Sequence, residues 1–228
     1  MIGIIAAMKV EIDALKQLLS AAQTERISGM EFVRGCLCGR EVVCVQCGIG
    51  KVNAAVCTQT LILKYSPELV INTGVGGALD PSLKICEVVV GEYAVQHDVD
   101  TSALGDEPGM VSTVNIIKFP LDNLNALKLM DVLKNEGIAA RRGGIATGDA
   151  FVDSKNTKQR IAEQFGCAVC DMEGAAIAHA CYLNSVPCEI VRAVSDGADE
   201  GAKLSYTEFA ALAAQNSIKA VKGFIENY

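Results

Sequence analysis

The sequence predicts an α/β protein with three α/β/α layers around a central mixed, mostly parallel sheet. Three observations lead there. Strand-like and helix-like runs alternate from one end of the chain to the other, the pattern of helices laid on both faces of a sheet. Several strand-like runs, such as Ile2–Ala7 and Leu69–Thr73, are apolar without alternation, as strands covered on both faces are. Half of the 228 residues are hydrophobic, which is enough to fill a large core. No internal repeat, low-complexity segment or linker interrupts the pattern, so residues 1–228 read as one domain.

In chain order, strands are expected at Ile2–Ala7, Met30–Cys38, Glu41–Cys47, Leu69–Thr73, Cys86–His97, Gly143–Thr147, Cys167–Asp171 and Pro187–Ser195. They are rich in Val, Ile and Cys, residues that suit a pleated, buried surface. Between the first two strands, Met8, Ile12, Leu15 and Leu19 recur at helical spacing. Further helices are expected over Lys51–Tyr65, Leu121–Asn135, Thr157–Phe165, Gly174–Leu183 and Tyr206–Asn227. Ser205 and Glu208 form an S-x-x-E pattern at the start of the last one, a capping-box signature. The stretch Asp98–Val114, with its Gly, Asp, Glu, Pro and Ser, reads as a long loop.

Composition excludes several classes of function. The net charge of −7, with Arg141-Arg142 as the one local basic pair, argues against a nucleic-acid partner, which needs a basic footprint. No run approaches the roughly 18 apolar residues of a membrane span. The N-terminal apolar run lacks a basic leader and reads as a first strand, not a secretory signal. Two C-x-x-C pairs, Cys44/Cys47 and Cys167/Cys170, stand more than a hundred residues apart and inside strands. Positions i and i+3 of a strand face opposite sides, so neither pair can close on one ion. The cysteines are expected to be small buried hydrophobes of a cytoplasmic protein, with no metal and no cofactor.

Ligands of open α/β sheets bind beyond the carboxyl ends of the strands, and four charged residues map there. Glu11 follows the first strand within one helical turn, at the edge of the buried stripe. Glu173 follows the strand Cys167–Asp171 in the run Asp171-Met172-Glu173, before a helix of small apolar residues. Arg192 lies inside the apolar strand Ile190–Ser195, where it cannot be buried unpaired; Asp196, ending the same strand, is an available acid. Carboxylates held in different environments can divide acid and base roles, which glycosidic hydrolysis requires. The turns Gly48-Ile49-Gly50-Lys51 and Asn72-Thr73-Gly74-Val75-Gly76-Gly77 lack the spacing of phosphate-binding loops, but let a ligand approach backbone closely. His97 and His179 are read as structural.

Six segments then combine into one resemblance: "IGIIAAMKVE" at Ile2–Glu11, "CGIGKV" at Cys47–Val52, "NTGVGGAL" at Asn72–Leu79, "TGDAFV" at Thr147–Val152, "DMEGAAIA" at Asp171–Ala178 and "VRAVSD" at Val191–Asp196. In this order, over nearly the whole chain, they resemble the 5'-methylthioadenosine/S-adenosylhomocysteine nucleosidases, within the purine nucleoside phosphorylase and uridine phosphorylase fold group. The resemblance implies a nucleoside phosphorylase-like fold and a homodimer. It implies hydrolysis of the N-glycosidic bond of 5'-methylthioadenosine and S-adenosylhomocysteine, with 5'-deoxyadenosine as a further candidate substrate. Nucleoside and water are then the only small-molecule partners.

The roles it implies are specific. Asp196 is the general acid at adenine nitrogen 7, and Glu11 the base for water. Glu173 holds the ribose hydroxyls, with Met172 packed on the sugar. Arg192 orients the water and the acids. Phe151 stacks on adenine, the Val152 backbone pairs with its edge, and Gly76, Gly77 and Ser195 line the site. Met8, Ile49 and Tyr206 line the thioalkyl end. Related phosphorylases carry a Gly-Asp-Pro-x-Arg stretch for phosphate where this chain has Ala6–Glu11, with Lys9 expected to face solvent. Val75 departs from the Ser common in these nucleosidases, and Leu104 stands where an aromatic is common. The alternatives are an aminodeoxyfutalosine nucleosidase, a phosphate-dependent purine nucleoside phosphorylase and a nucleoside-binding protein without turnover.

Overall fold

Strands and helices alternate as the apolar patterning requires, in a computed structural model that describes residues Met1–Tyr228. The strands are β1 (Ile2–Ala6), β2 (Ser20–Ile27), β3 (Met30–Leu37), β4 (Arg40–Gln46), β5 (Leu69–Ala78), β6 (Val88–Gln96), β7 (Phe119–Pro120), β8 (Ala140–Thr147), β9 (Cys167–Asp171) and β10 (Cys188–Asp196). The helices are α1 (Lys9–Gln17), α2 (Lys51–Tyr65), α3 (Asn123–Asn135), α4 (Lys155–Phe165), α5 (Gly174–Leu183) and α6 (Ala202–Asn227). Side-chain caps start two of them: Asp122 accepts from the Asn125 amide before α3, and Ser154 from the Thr157 amide before α4.

The strands form one sheet in the order β10-β6-β8-β9-β5-β1-β4-β3-β2, with β7 paired to β6 at Tyr93 and Ala94, off that path. β10 also pairs with β5, so β10, β6, β8, β9 and β5 close into a ring and β1, β4, β3 and β2 extend from it. The sheet is mixed but not mostly parallel. β1–β4, β1–β5, β5–β10, β6–β8 and β8–β9 run parallel. β6–β10, β2–β3, β3–β4, β5–β9 and β6–β7 run antiparallel. The antiparallel pairs come from the β2–β3–β4 meander, from ring closure and from the short β7 paired to β6, and closure is invisible to local patterning.

Layering is clearest around β1 and β4. Ile5, Val43 and Val45 face one core with Ala54, Cys57 and Leu61 of α2 and Ala175, Ala176 and Ile177 of α5. Ile2, Ile4, Val42 and Cys44 face the other, with Ile12 and Leu15 of α1, Ala126 and Leu129 of α3 and Phe224 of α6. A third, smaller cluster packs Ile161 and Phe165 of α4 against the ring.

Four local expectations change. The first helix ends at Gln17, and Ser20–Ile27 is a strand with no apolar alternation to announce it, because it is an edge strand exposed along nearly its whole length. β5 runs on through Gly74, Gly76 and Gly77, which are extended rather than turned. α6 begins at Ala202, so Ser205 lies inside the helix and caps nothing. Cys44 and Cys47 do face different cores, but Cys167 and Cys170 share one cluster. A register shift between β8 and β9 skips Ala168 and restores both to the same side.

Candidate active site

The carboxyl ends of β1, β5, β9 and β10 meet, and the polar residues that follow them enclose a cavity of about 300 Å³. Glu11, Glu173 and Asp196 all line it and are all buried, at 3 %, 7 % and 2 % exposure.

Glu11 sits in the first turn of α1. Its Oε2 accepts from the Met8 amide at 2.8 Å and its Oε1 from the Val75 amide at 3.0 Å. Burial raises its pKa; Arg192 and the backbone amides oppose the rise without cancelling it. Glycine at 74 leaves room for this carboxylate, because a Cβ at that position would lie 2.8 Å from Glu11 Oε1 and one of the two would have to move. The same holds at Gly77, where a Cβ would lie 2.8 Å from Asp196 Oδ1. The glycines of "NTGVGG" therefore make room for the two carboxylates.

Asp196 ends β10. Ser195 Oγ donates to its Oδ2 at 2.8 Å and the Ala198 amide to its Oδ1 at 2.9 Å. Burial raises its pKa despite those two donors. Glu173 stands at the N-cap position of α5 without a side-chain bond to that helix, and its carboxylate instead accepts from the Gly50 amide at 2.8 Å. Burial and the neighbouring Asp171 push its pKa up to about 7, against the Gly50 amide and Arg192.

The apolar side of the cavity is formed by Met8, Ile49, Val75, Phe151, Val152, Met172 and Tyr206. Phe151 meets Tyr206 edge-on, with ring centroids 5.7 Å apart, and the Tyr206 hydroxyl lies 2.9 Å from the Met8 sulfur. Gly76, Gly77 and Ser195 complete the backbone wall. Thus every site residue expected from the sequence lies on this cavity except Arg192.

Arg192 needs a different account. Its guanidinium pairs with Asp171 at 2.6 Å, the two side chains being 2 % and 1 % exposed, and it also donates to Asn72 Oδ1 and to backbone carbonyls. The acid that meets Arg192 is therefore Asp171 and not Asp196. Asp171 further accepts from Thr147 Oγ1 at 2.5 Å and from the Gly174 amide. It lines the cavity, as do Ala7, Ala150 and Cys170, which sequence reasoning did not single out. The rule that exposed Arg192 could have exposed Asp171, since it ends an apolar strand and must also be partnered. Burial raises the Cys170 thiol well above its ordinary range, so it stays protonated.

The other singled-out groups lie off the cavity. Lys9 is exposed and pairs with Asp13 at 3.6 Å. His179 stacks on Phe119 and contacts Gln96 at 3.2 Å. His97 is buried beneath Gly148, where its ring occupies the space a Cβ would need. Arg141 and Arg142 are half-buried and pair with Asp80 and Glu92. Thr101–Ser112 contributes nothing to the cavity of its own chain.

Comparison with known proteins places this geometry. The sequence model of the phosphorylase superfamily matches residues 1–226. A 5'-methylthioadenosine/S-adenosylhomocysteine nucleosidase of Staphylococcus epidermidis is 40 % identical over 228 residues, covering 100 % of both chains. This chain belongs to that nucleosidase family, within the phosphorylase superfamily. Among solved structures, the nucleosidase of the same name from Neisseria meningitidis, in complex with methylthio-immucillin-A, superposes with a TM-score of 0.96 at 36 % identity, covering 100 % of this chain and 99 % of that one. Futalosine hydrolase of Helicobacter pylori superposes with a TM-score of 0.95 at 32 % identity, covering 100 % and 97 %. The nucleosidase fold therefore spans the whole chain, ring included.

Proposed function

We propose that this nucleosidase hydrolyses the N-glycosidic bond of 5'-methylthioadenosine and S-adenosylhomocysteine, releasing adenine and the thioribose. The observation that carries the reading is the convergence of Glu11, Glu173 and Asp196 on one half-apolar cavity. Asp196, its pKa raised by burial, gives a proton to adenine nitrogen 7 and turns the base into a leaving group. The sugar becomes oxocarbenium-like as the C1'–N bond breaks, and the carboxylate charge around it stabilises that cation. Glu11 takes a proton from the attacking water as its oxygen bonds to C1'. Glu173 accepts from the ribose hydroxyls. Phe151 and the Val152 backbone hold the base, and Met8, Ile49 and Tyr206 receive the 5'-thioalkyl group. Arg192 acts from beneath the cavity, holding Asp171 and biasing Glu11 and Glu173 toward their charged forms.

Water rather than phosphate is the nucleophile in this reading. No cation lines the cavity, and an anion beside Glu11 would be repelled. The chain is further read as a single-domain, cytoplasmic homodimer. Ile49, Val52 and Val56 form an exposed apolar stripe that starts at the cavity rim, and Leu104 is exposed on the long loop; a second copy covering them would also close the site.

The test is adenine release from a panel of 5'-substituted adenosines and aminodeoxyfutalosine, with and without phosphate. Hydrolysis of the thio-substituted nucleosides in phosphate-free buffer is expected. Strict phosphate dependence would make the protein a phosphorylase. Turnover of aminodeoxyfutalosine alone would make it an aminodeoxyfutalosine nucleosidase, and saturable binding without release would make it a binding protein.

A further inference from the structure

Two segments that supply the cavity wall are tied outside it to the end of β6 through one ion pair. Lys51 Nζ, at the start of α2, lies 2.6 Å from Asp98 Oδ1, with the two side chains only 17 % and 31 % exposed. The same ammonium donates to Gln96 Oε1 at 3.3 Å. The other Asp98 oxygen accepts from the Asp149 amide at 2.9 Å, and Asp149 Oδ1 accepts from the Lys51 amide at 2.8 Å. These bonds form a closed circuit through the end of β6, the loop after β8 and the first turn of α2.

Two of those segments, the loop after β8 and the start of α2, continue directly into the site. Asp149 is followed by Ala150, Phe151 and Val152, which wall the cavity. Lys51 is preceded by Ile49, also in the wall, and by Gly50, whose amide holds Glu173. Packing allows little alternative: a Cβ at Gly148 would collide with His97 at 2.4 Å, and one at Gly50 would lie 3.1 Å from Asp149 Oδ1. Burial would raise the Asp98 carboxyl, but Lys51 and the Asp149 amide outweigh it and hold its pKa below the ordinary value, so it stays charged.

We infer that Lys51 and Asp98 are positioning residues, a clasp that sets the loop Gly148–Val152 for binding the purine base. Neither touches the cavity. They act through Asp149, whose backbone is fixed on one side by Asp98 and whose carboxylate is fixed on the other by α2. Opening the circuit leaves the acid Asp196 and the base Glu11 in place and loosens the wall that orients the purine. The inference rests on the nucleosidase reading for its substrate, not for its geometry.

The experiment compares wild type with Asp98→Ala, Asp98→Asn, Lys51→Met and Lys51→Arg. Readouts are kcat and KM for 5'-methylthioadenosine, the inhibition constant of adenine and the melting temperature. Asp98→Ala and Lys51→Met are expected to raise KM and the adenine constant together by about tenfold, as loss of one positioning contact does, with a smaller change in kcat. Asp98→Asn, which can still accept from the Asp149 amide, and Lys51→Arg, which can still pair, are expected to fall between these and wild type. A lowered melting temperature with KM and the adenine constant unchanged would mean the clasp only stabilises the fold, and the inference fails. Equal loss of kcat in all four variants without any KM effect also overturns it. Should wild type itself release no adenine, the functional reading fails instead, and adenine binding measured by calorimetry still decides the clasp.

Discussion

Replacing Glu173 by Gln is expected to stabilise the protein in alkali while disabling it. Glu173 titrates near an ordinary 4.5 when unfolded and is pushed up to about 7 when folded, by burial first and by Asp171 second. The native state therefore holds this proton more tightly than the unfolded chain, and the contribution of Glu173 to stability is most favourable below pH 4.5 and falls as pH rises toward 7. At about 1.4 kcal/mol per tenfold difference in affinity, the cost is about 1 kcal/mol at pH 5 and about 3 kcal/mol at pH 8. Gln carries no charge to desolvate and can still accept from the Gly50 amide. The stability gap between Glu173→Gln and wild type should therefore widen by about 2 kcal/mol from pH 5 to pH 8, or about 4–8 °C in melting temperature for a chain of this size. Urea denaturation at a series of pH values measures it. A gap that is flat with pH, or that narrows in alkali, would refute the argument that Glu173 is held at an energetic cost for its function.

Three further outcomes follow from the site. Asp196→Asn should abolish adenine release and Glu11→Gln should reduce it by about 10²-fold or more in steady-state assays; near wild-type turnover in both would dissolve the assigned roles. Gly74→Ala places a Cβ 2.8 Å from Glu11 Oε1 and should lower kcat on the order of 10²-fold with a smaller effect on KM; unchanged kcat would show that Glu11 need not sit where it does. Arg192→Met leaves Asp171 buried without its partner and should cost about 3–5 kcal/mol in urea denaturation, whereas a loss below about 1 kcal/mol would place the pair among ordinary surface bridges.

Arg192 shows where reading a sequence succeeds and stops. A guanidinium in the middle of Ile190–Ser195 has to be compensated, and that much follows from the cost of a buried charge. Which acid compensates it does not follow, because Asp196 is nearer along the chain and Asp171 nearer in space. The edge strand Ser20–Ile27 was hidden for a different reason: exposed on both sides, it bears no burial pattern to read.

Apart from β2 and the two-residue β7, the order of strands and helices, the buried hydrophobic runs and the identity of the acidic residues at the strand ends were determined by the sequence itself, because burial and periodicity act on neighbours along the chain. Closure of β10 onto β5, the balance of parallel and antiparallel pairs, and the exchange of partners around Arg192 were decided only in three dimensions. Closure joins residues more than a hundred positions apart, such as Cys188 and Val70, and the partner of Arg192 comes from a different strand, so local spacing carries no signal for either. The space that Gly74 and Gly77 leave for Glu11 and Asp196 belongs to the same class: glycine in the sequence announces freedom, and only the fold shows what fills it.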